Sequence, residues 1–154
     1  NIGTLIASGA LGKKPDFRQA VEWFDKGLER GDANAGAYAA YLILTEGAGG
    51  LSPADAAWRA GRAAALRDKK SVERARKVLD ALPTEAVDEA SQRLLQALGA
   101  DVTPDGAFGE GSKTAYATIA GQHGDASLET DPVERLIDIA RIHWSTTPFR
   151  VDLY

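Results

Sequence analysis

Apolar residues recur at helical spacing along almost the whole chain, and no long stretch alternates apolar and polar positions as a strand would. From Asp16 to Arg30, Phe17, Ala20, Val21, Phe24 and Leu28 share one helical face. Asp16 stands where an N-cap belongs, and Gly31 where a helix stops. A second helix is expected from Ala33 to Glu46, carrying Tyr38, Tyr41, Leu42 and Ile43, and Gly47, Gly49 and Gly50 end it. Ser52 followed by Pro53 is the order of a cap and a first-turn proline. The helix they open presents Ala57, Gly61, Ala64 and Ala65 inward. A shorter helix carries Val72, Ala75, Leu79 and Leu82 up to Pro83.

Thr84 begins a fifth helix with Val87, Ala90, Leu94 and Leu98 inward. A loop rich in Gly, Pro and Asp follows from Gly99 to Gly111, and Ser112 is expected to cap a short helix reaching about Ala120. After a loop from Gly121 to Thr130, Val133, Leu136, Ile137, Ala140 and Trp144 mark the last helix. The tail from Ser145, with Phe149, Val151, Leu153 and Tyr154, reads as a short extended segment packed back on the body. The class this predicts is all-α.

Small and large residues also recur at a period of about 35: Trp23 is echoed by Trp58, and Gly9 by Gly47. A helical hairpin of that length cannot bury its apolar face alone and must stack on neighbours. Ala35, Gly36, Ala39 and Ala40 would let helices approach closely. Trp23, Phe24, Tyr38, Tyr41 and Trp58 are expected to pack in the core rather than face a ligand.

The run Asp16-Phe17-Arg18-Gln19-Ala20-Val21-Glu22-Trp23-Phe24, then Gly27, then Gly31-Asp32-Ala33-Asn34-Ala35, resembles a Sel1-like repeat, a relative of the tetratricopeptide repeat. Gly27 stands where that family usually has Ala, and Leu66-Arg67-Asp68 replaces the usual Gly-Asn turn of a following repeat. The resemblance covers about residues 1–68 and implies a protein-interaction scaffold without chemistry.

Residues 92–124 carry a second pattern. It runs Gln92, Leu95, Leu98-Gly99, then Pro104-Asp105-Gly106, Phe108-Gly109, then Ser112, Ala115-Tyr116 and Ile119, ending at His123-Gly124. Asp105-Gly106 is a turn pair, in which Asp bonds nearby backbone and Gly takes positive φ. Phe108 would plug the core, and Gly109 would let the chain turn into the helix. This stretch resembles a three-helix peptidoglycan-binding domain. It departs from that pattern at Ala100, Glu110-Gly111 and Ala120. The resemblance implies Asp105, Phe108, Ser112, Lys113 and Tyr116 as candidate peptidoglycan contacts, with Gly106 and Gly109 shaping the loop. A purely structural or protein-binding use of the module stays open beside it.

The chain divides on this reading into residues 1–83, a short solenoid of Sel1-like hairpins, and residues 84–154, a small three-helix bundle with a final helix and tail. Among its 154 residues, 44% are hydrophobic and 26% charged, a balance that supports a packed core. The net charge of −4 and the scattered Lys and Arg argue against nucleic acid. No apolar run approaches the roughly 20 residues that cross a bilayer. The absence of Cys excludes disulfides and thiolate chemistry. The chain starts at Asn1 and has no Met, which reads as a piece of a longer protein whose signal or anchor lies elsewhere.

Catalytic patterns are weak. Gly106 to Thr114 has the glycines of a phosphate-binding loop, but Ser112 separates Gly111 from Lys113, where that loop needs Lys at once. His123 and His143 have no metal-ligand spacing, and no nucleophile elbow occurs. No catalytic residue, cofactor or metal is therefore expected. The two resemblances together are those of bacterial polar-localisation scaffolds, which implies a periplasmic protein with protein partners and contact with the cell wall. The alternatives are a regulatory C-terminal region of a larger enzyme, caspase-like or wall-processing, and a cytoplasmic adaptor.

Overall fold

The computed structural model describes residue 4 and residues 16–47, 50–66, 69–125 and 127–146, with the helix backbone alone at 69–71. Among them lie seven helices and no strand: α1 Phe17–Glu29, α2 Ala33–Glu46, α3 Pro53–Ala64, α4 Lys69–Asp80, α5 Thr84–Ala97, α6 Glu110–Gln122 and α7 Pro132–Thr146. The protein is all-α.

Local chemistry sets the boundaries. Asp16 caps α1 through Gln19 N, and Asp32 caps α2 through Ala35 N. Ser52 and Asp55 form a reciprocal capping box ahead of Pro53, which satisfies two otherwise orphaned amides of α3. Gly47 closes α2 in the left-handed conformation, at φ 61°.

Helix α3 is the hub of the packing, in contact with α1, α2, α4, α5 and α7. Its composition explains this. Ala54, Ala56, Ala57, Ala60, Gly61, Ala63 and Ala64 are all buried, so neighbours approach from several sides rather than along one stripe. The approach leaves no room for a side chain at two glycines. A Cβ on Gly61 would lie 2.6 Å from Leu136 Cγ of α7, and one on Gly36 would lie 2.7 Å from Leu28 Cδ1. The apolar core runs without a break from Ala20 through Leu79, Val87 and Leu95 to Ile142.

Buried and half-buried arginines tie the helices together. Arg59 of α3 grips Asp25 of α1 through two bonds of 2.7 and 2.9 Å. Arg62, also on α3, donates to Glu29 at 2.6 Å and lies between the rings of Trp58 and Trp144. Trp144 Nε1 donates in turn to the Arg62 carbonyl at 2.8 Å, docking α7 on α3. Arg135 of α7 pairs with Asp88 of α5 at 2.8 Å, both buried. The planar guanidinium matches a carboxylate and stacks on aromatic faces, which lets these charges leave water.

Three sequence expectations are corrected. Helix α6 begins at Glu110, before Ser112, so Ser112 does not cap it; the N-cap is Gly109, with no side-chain cap. Gly109 has φ −86°, open to any residue, and a Cβ there would touch nothing. Tyr38 and Tyr41 are 40% and 52% exposed and do not fill the core. The repeat upstream of Asp16 with Gly9, the turn at Arg67-Asp68 and the extended tail beyond Thr146 lie outside the described residues.

Candidate functional site

Two surfaces gather the side chains that could meet a partner. The first is the loop from Gly99 to Gly109. Its organiser is Gln92 of α5, only 1% exposed. Gln92 Oε1 accepts from Gly106 N at 2.9 Å. Its Nε2 reaches Asp105 Oδ1 at 3.1 Å, the Ala107 carbonyl at 2.9 Å and Ser112 Oγ at 3.0 Å. Asp105 Oδ1 also accepts from Ala107 N at 2.9 Å, an Asx turn. That amide first, and then Gln92, hold the exposed Asp105 carboxyl below its usual pKa. Gly106 sits at φ 80°, and a Cβ would come within 2.9 Å of the Glu85 carbonyl, so both the turn and the close approach to α5 require glycine there.

The candidates proposed from sequence fall into different settings. Asp105 and Lys113 face solvent, the latter 3.6 Å from Glu110. Ser112 is buried and held by Gln92. Phe108 is half-buried, with the Arg135 guanidinium 3.6 Å from its ring centre. Tyr116 is 3% exposed. Its hydroxyl donates to Asp138 and accepts from Glu129 N at 3.0 Å. Burial first, and then the bond to Asp138, push the Tyr116 pKa well up. An open polar hollow of about 240 Å³, lined by Gln92, Asp101, Thr103, Asp105 and Ser112, lies beside the loop.

Beneath Tyr116 lies a pair of acids. Asp125 is within hydrogen-bond reach of Asp138, and its buried Oδ2 has no donor among the described residues. Burial and the neighbouring Asp125 raise the Asp138 carboxyl to about 6, against the pull of Tyr116 and Arg141. Of the two histidines, His143 is half-buried and edge-on to Trp58, with Nδ1 unpartnered. Burial first, and then the Arg62 charge, lower its pKa and keep it neutral at pH 7.

The second surface is a groove between α2 and α4, an open hollow of about 360 Å³. Ala37 and Val78 form its buried floor, and Tyr38, Tyr41 and Leu44 its exposed wall. Arg74 and Lys77 of α4 complete its rim. Tyr38 is braced from behind by Phe24, with ring centres 5.8 Å apart. Arg74 Nη1 donates to Asn34 Oδ1 at 2.9 Å and to Tyr38 Oη at 3.2 Å, which fixes the guanidinium near the tyrosine ring. Sequence reading placed these tyrosines in the core. The signal that could have found the groove is a helix with apolar residues on every side, more than one core can absorb.

No group of three or more His, Asp or Glu among the described residues is placed to hold a metal ion. No described helix is long and apolar enough to cross a membrane. Comparison with protein families, with curated proteins and with solved structures finds no match to this chain.

Proposed function

We propose that the chain is a non-catalytic helical scaffold that docks a protein partner in the groove between α2 and α4. On this reading residues 1–83 are a short solenoid of Sel1-like hairpins, with α2 and α4 lining its open face. The carrying observation is the exposed wall of Tyr38, Tyr41 and Leu44 over an apolar floor. Three large apolar side chains left side by side in water are costly to leave uncovered, and such patches mark interaction sites. Tyrosine and arginine anchors are typical of binding hot spots.

We propose further that residues 84–154 act as a peptidoglycan-binding-like module in a bacterial cell envelope, on the periplasmic side. Asp105 and Lys113 are its solvent-facing candidates for a glycan or stem peptide. Phe108, Ser112 and Tyr116 support them from within the loop and helix α6.

Each half has its own test. A displayed random-peptide library selected on the intact chain is expected to yield binders that lose affinity for Tyr41→Ala. Binders indifferent to that substitution, or none at all, would remove the docking half. The intact chain is also expected to pellet with purified peptidoglycan sacculi. If it stays in the supernatant while a control wall-binding protein pellets, the wall contact is wrong and docking stands alone.

A further inference from the structure

Both charged residues that line the groove, Arg74 and Lys77, are cations. At the helix interfaces Arg59, Arg62, Arg76, Arg93 and Arg135 are each paired with a carboxylate. Arg74 and Lys77 have no carboxylate partner among the described residues. Arg74 spends one nitrogen on Asn34 and Tyr38, neither of them charged, which leaves its other N–H groups directed by no acid. Two cations without an ion pair among the described residues therefore flank an apolar hollow in a chain whose net charge is −4. An anionic partner is repelled by the molecule as a whole and attracted at this place, which gives orientation as well as affinity.

The hollow also limits the kind of ligand. At about 360 Å³ and open to solvent, it is at the small end of ligand pockets, roughly 300 to 1,000 Å³. Its inner surface lacks the set of convergent polar groups that orients a small molecule. It suits side chains projecting from a chain that runs on beyond the groove.

We propose, resting on the docking reading above, that the occupant is a short linear segment of a partner protein with two large apolar side chains flanked by Asp or Glu. The apolar pair packs over Ala37 and Val78 between Tyr41, Leu44 and Tyr38. The flanking carboxylates meet Lys77 and the unused edge of Arg74. Docking by this route adds no chemistry. It exchanges hydrated tyrosine and leucine surface for contact, and the ion pairs set the polarity of the segment.

The test uses three fluorescein-labelled peptides with the same two leucines one helical turn apart, flanked by glutamates, by glutamines or by lysines. Anisotropy titration of the intact chain is expected to rank them in that order, with roughly three- to tenfold between glutamate and glutamine. Lys77 is exposed and has no ion pair among the described residues, so Lys77→Glu leaves the fold intact, as circular dichroism checks; with Arg74 still in place it brings the charge of the rim to zero and is expected to remove most of the difference between the glutamate and lysine peptides. Tyr41→Ala is expected to weaken all three alike.

Several results overturn the proposal, and they are distinguishable. If the three peptides bind equally and all lose affinity to Tyr41→Ala, the groove docks segments but not acidic ones. If the lysine peptide binds best, the sign is wrong. If none binds, or Tyr41→Ala changes nothing, the docking reading falls with it. Concentration-dependent dimerisation abolished by Tyr41→Ala in sedimentation would identify a second copy of the chain as the occupant instead.

Discussion

Gln92 makes four polar contacts that decide the shape of the loop around Asp105: it accepts from Gly106 N and offers its amide to Asp105, Ala107 and Ser112. Gly106 N is buried, so removing its acceptor leaves a donor away from water, at a cost of about 1 to 3 kcal/mol. Gln92→Ala is therefore expected to lower stability by about 2 to 3 kcal/mol, the cavity included, and to speed amide exchange at Gly106 and Ala107. Unchanged exchange at those two amides would mean that the loop holds itself. The turn itself was legible, because Asp-Gly chemistry is local. Its anchor was not: Gln92 meets residues 13 to 20 positions downstream, and no local pattern encodes that. Ser112 was misread for a related reason. A serine near a helix start reads as a cap, but α6 already begins at Glu110, and the hydroxyl turns inward to Gln92.

At the scale of elements, α3 and α2 show opposite limits of reading by periodicity. The alanines and Gly61 of α3 predict an inward face. They do not predict that five other helices crowd around it, because small residues carry little directional signal. Helix α2 is apolar on nearly every side, and a pattern without a polar face cannot say which tyrosines stay outside. The junction of α6 and α7 was equally silent in sequence, since Tyr116, Asp125 and Asp138 meet only once the intervening loop folds back.

That junction responds to pH. Asp138 has a folded pKa of about 6, above its ordinary 3.8, so its neutral form is favoured by folding. The stability it gives is complete below about 4 and is lost as pH rises through about 6. Asp138→Asn supplies a permanent donor and no charge. It is expected to raise stability at pH 7 by about 1 kcal/mol, the figure discounted for a half-hydrated site. It is also expected to flatten the decline between pH 4 and 6. Urea midpoints across that range check both, and an undiminished slope in the variant would assign the pH response to another group.

For the molecule as a whole, the question is whether residues 1–83 and 84–154 fold as separate bodies. The two sequence resemblances suggest a boundary at Pro83, because each matches one side of it. Packing argues for interdependence. Helix α3, from the first segment, lies against α5 and α7 of the second, with Leu136 pressed on Gly61. Three further links cross the boundary: Arg76 with Glu134, Arg93 with Asp55, and Trp144 with the Arg62 carbonyl. If the halves separated, buried Arg62 would lose Trp144, and Gly61 on α3 would lose the cover of Leu136. Urea unfolding followed by tryptophan fluorescence, which reports Trp58 and Trp144 at the junction together with Trp23 on α1, is therefore expected to coincide with loss of helix by circular dichroism in one transition. Gly61→Val, which drives a side chain into Leu136, is expected to shift both curves together by about 2 to 3 kcal/mol. Two separated transitions, with only the fluorescence curve moved by Gly61→Val, would mean that the segments fold independently and that the junction is a docking contact rather than a shared core.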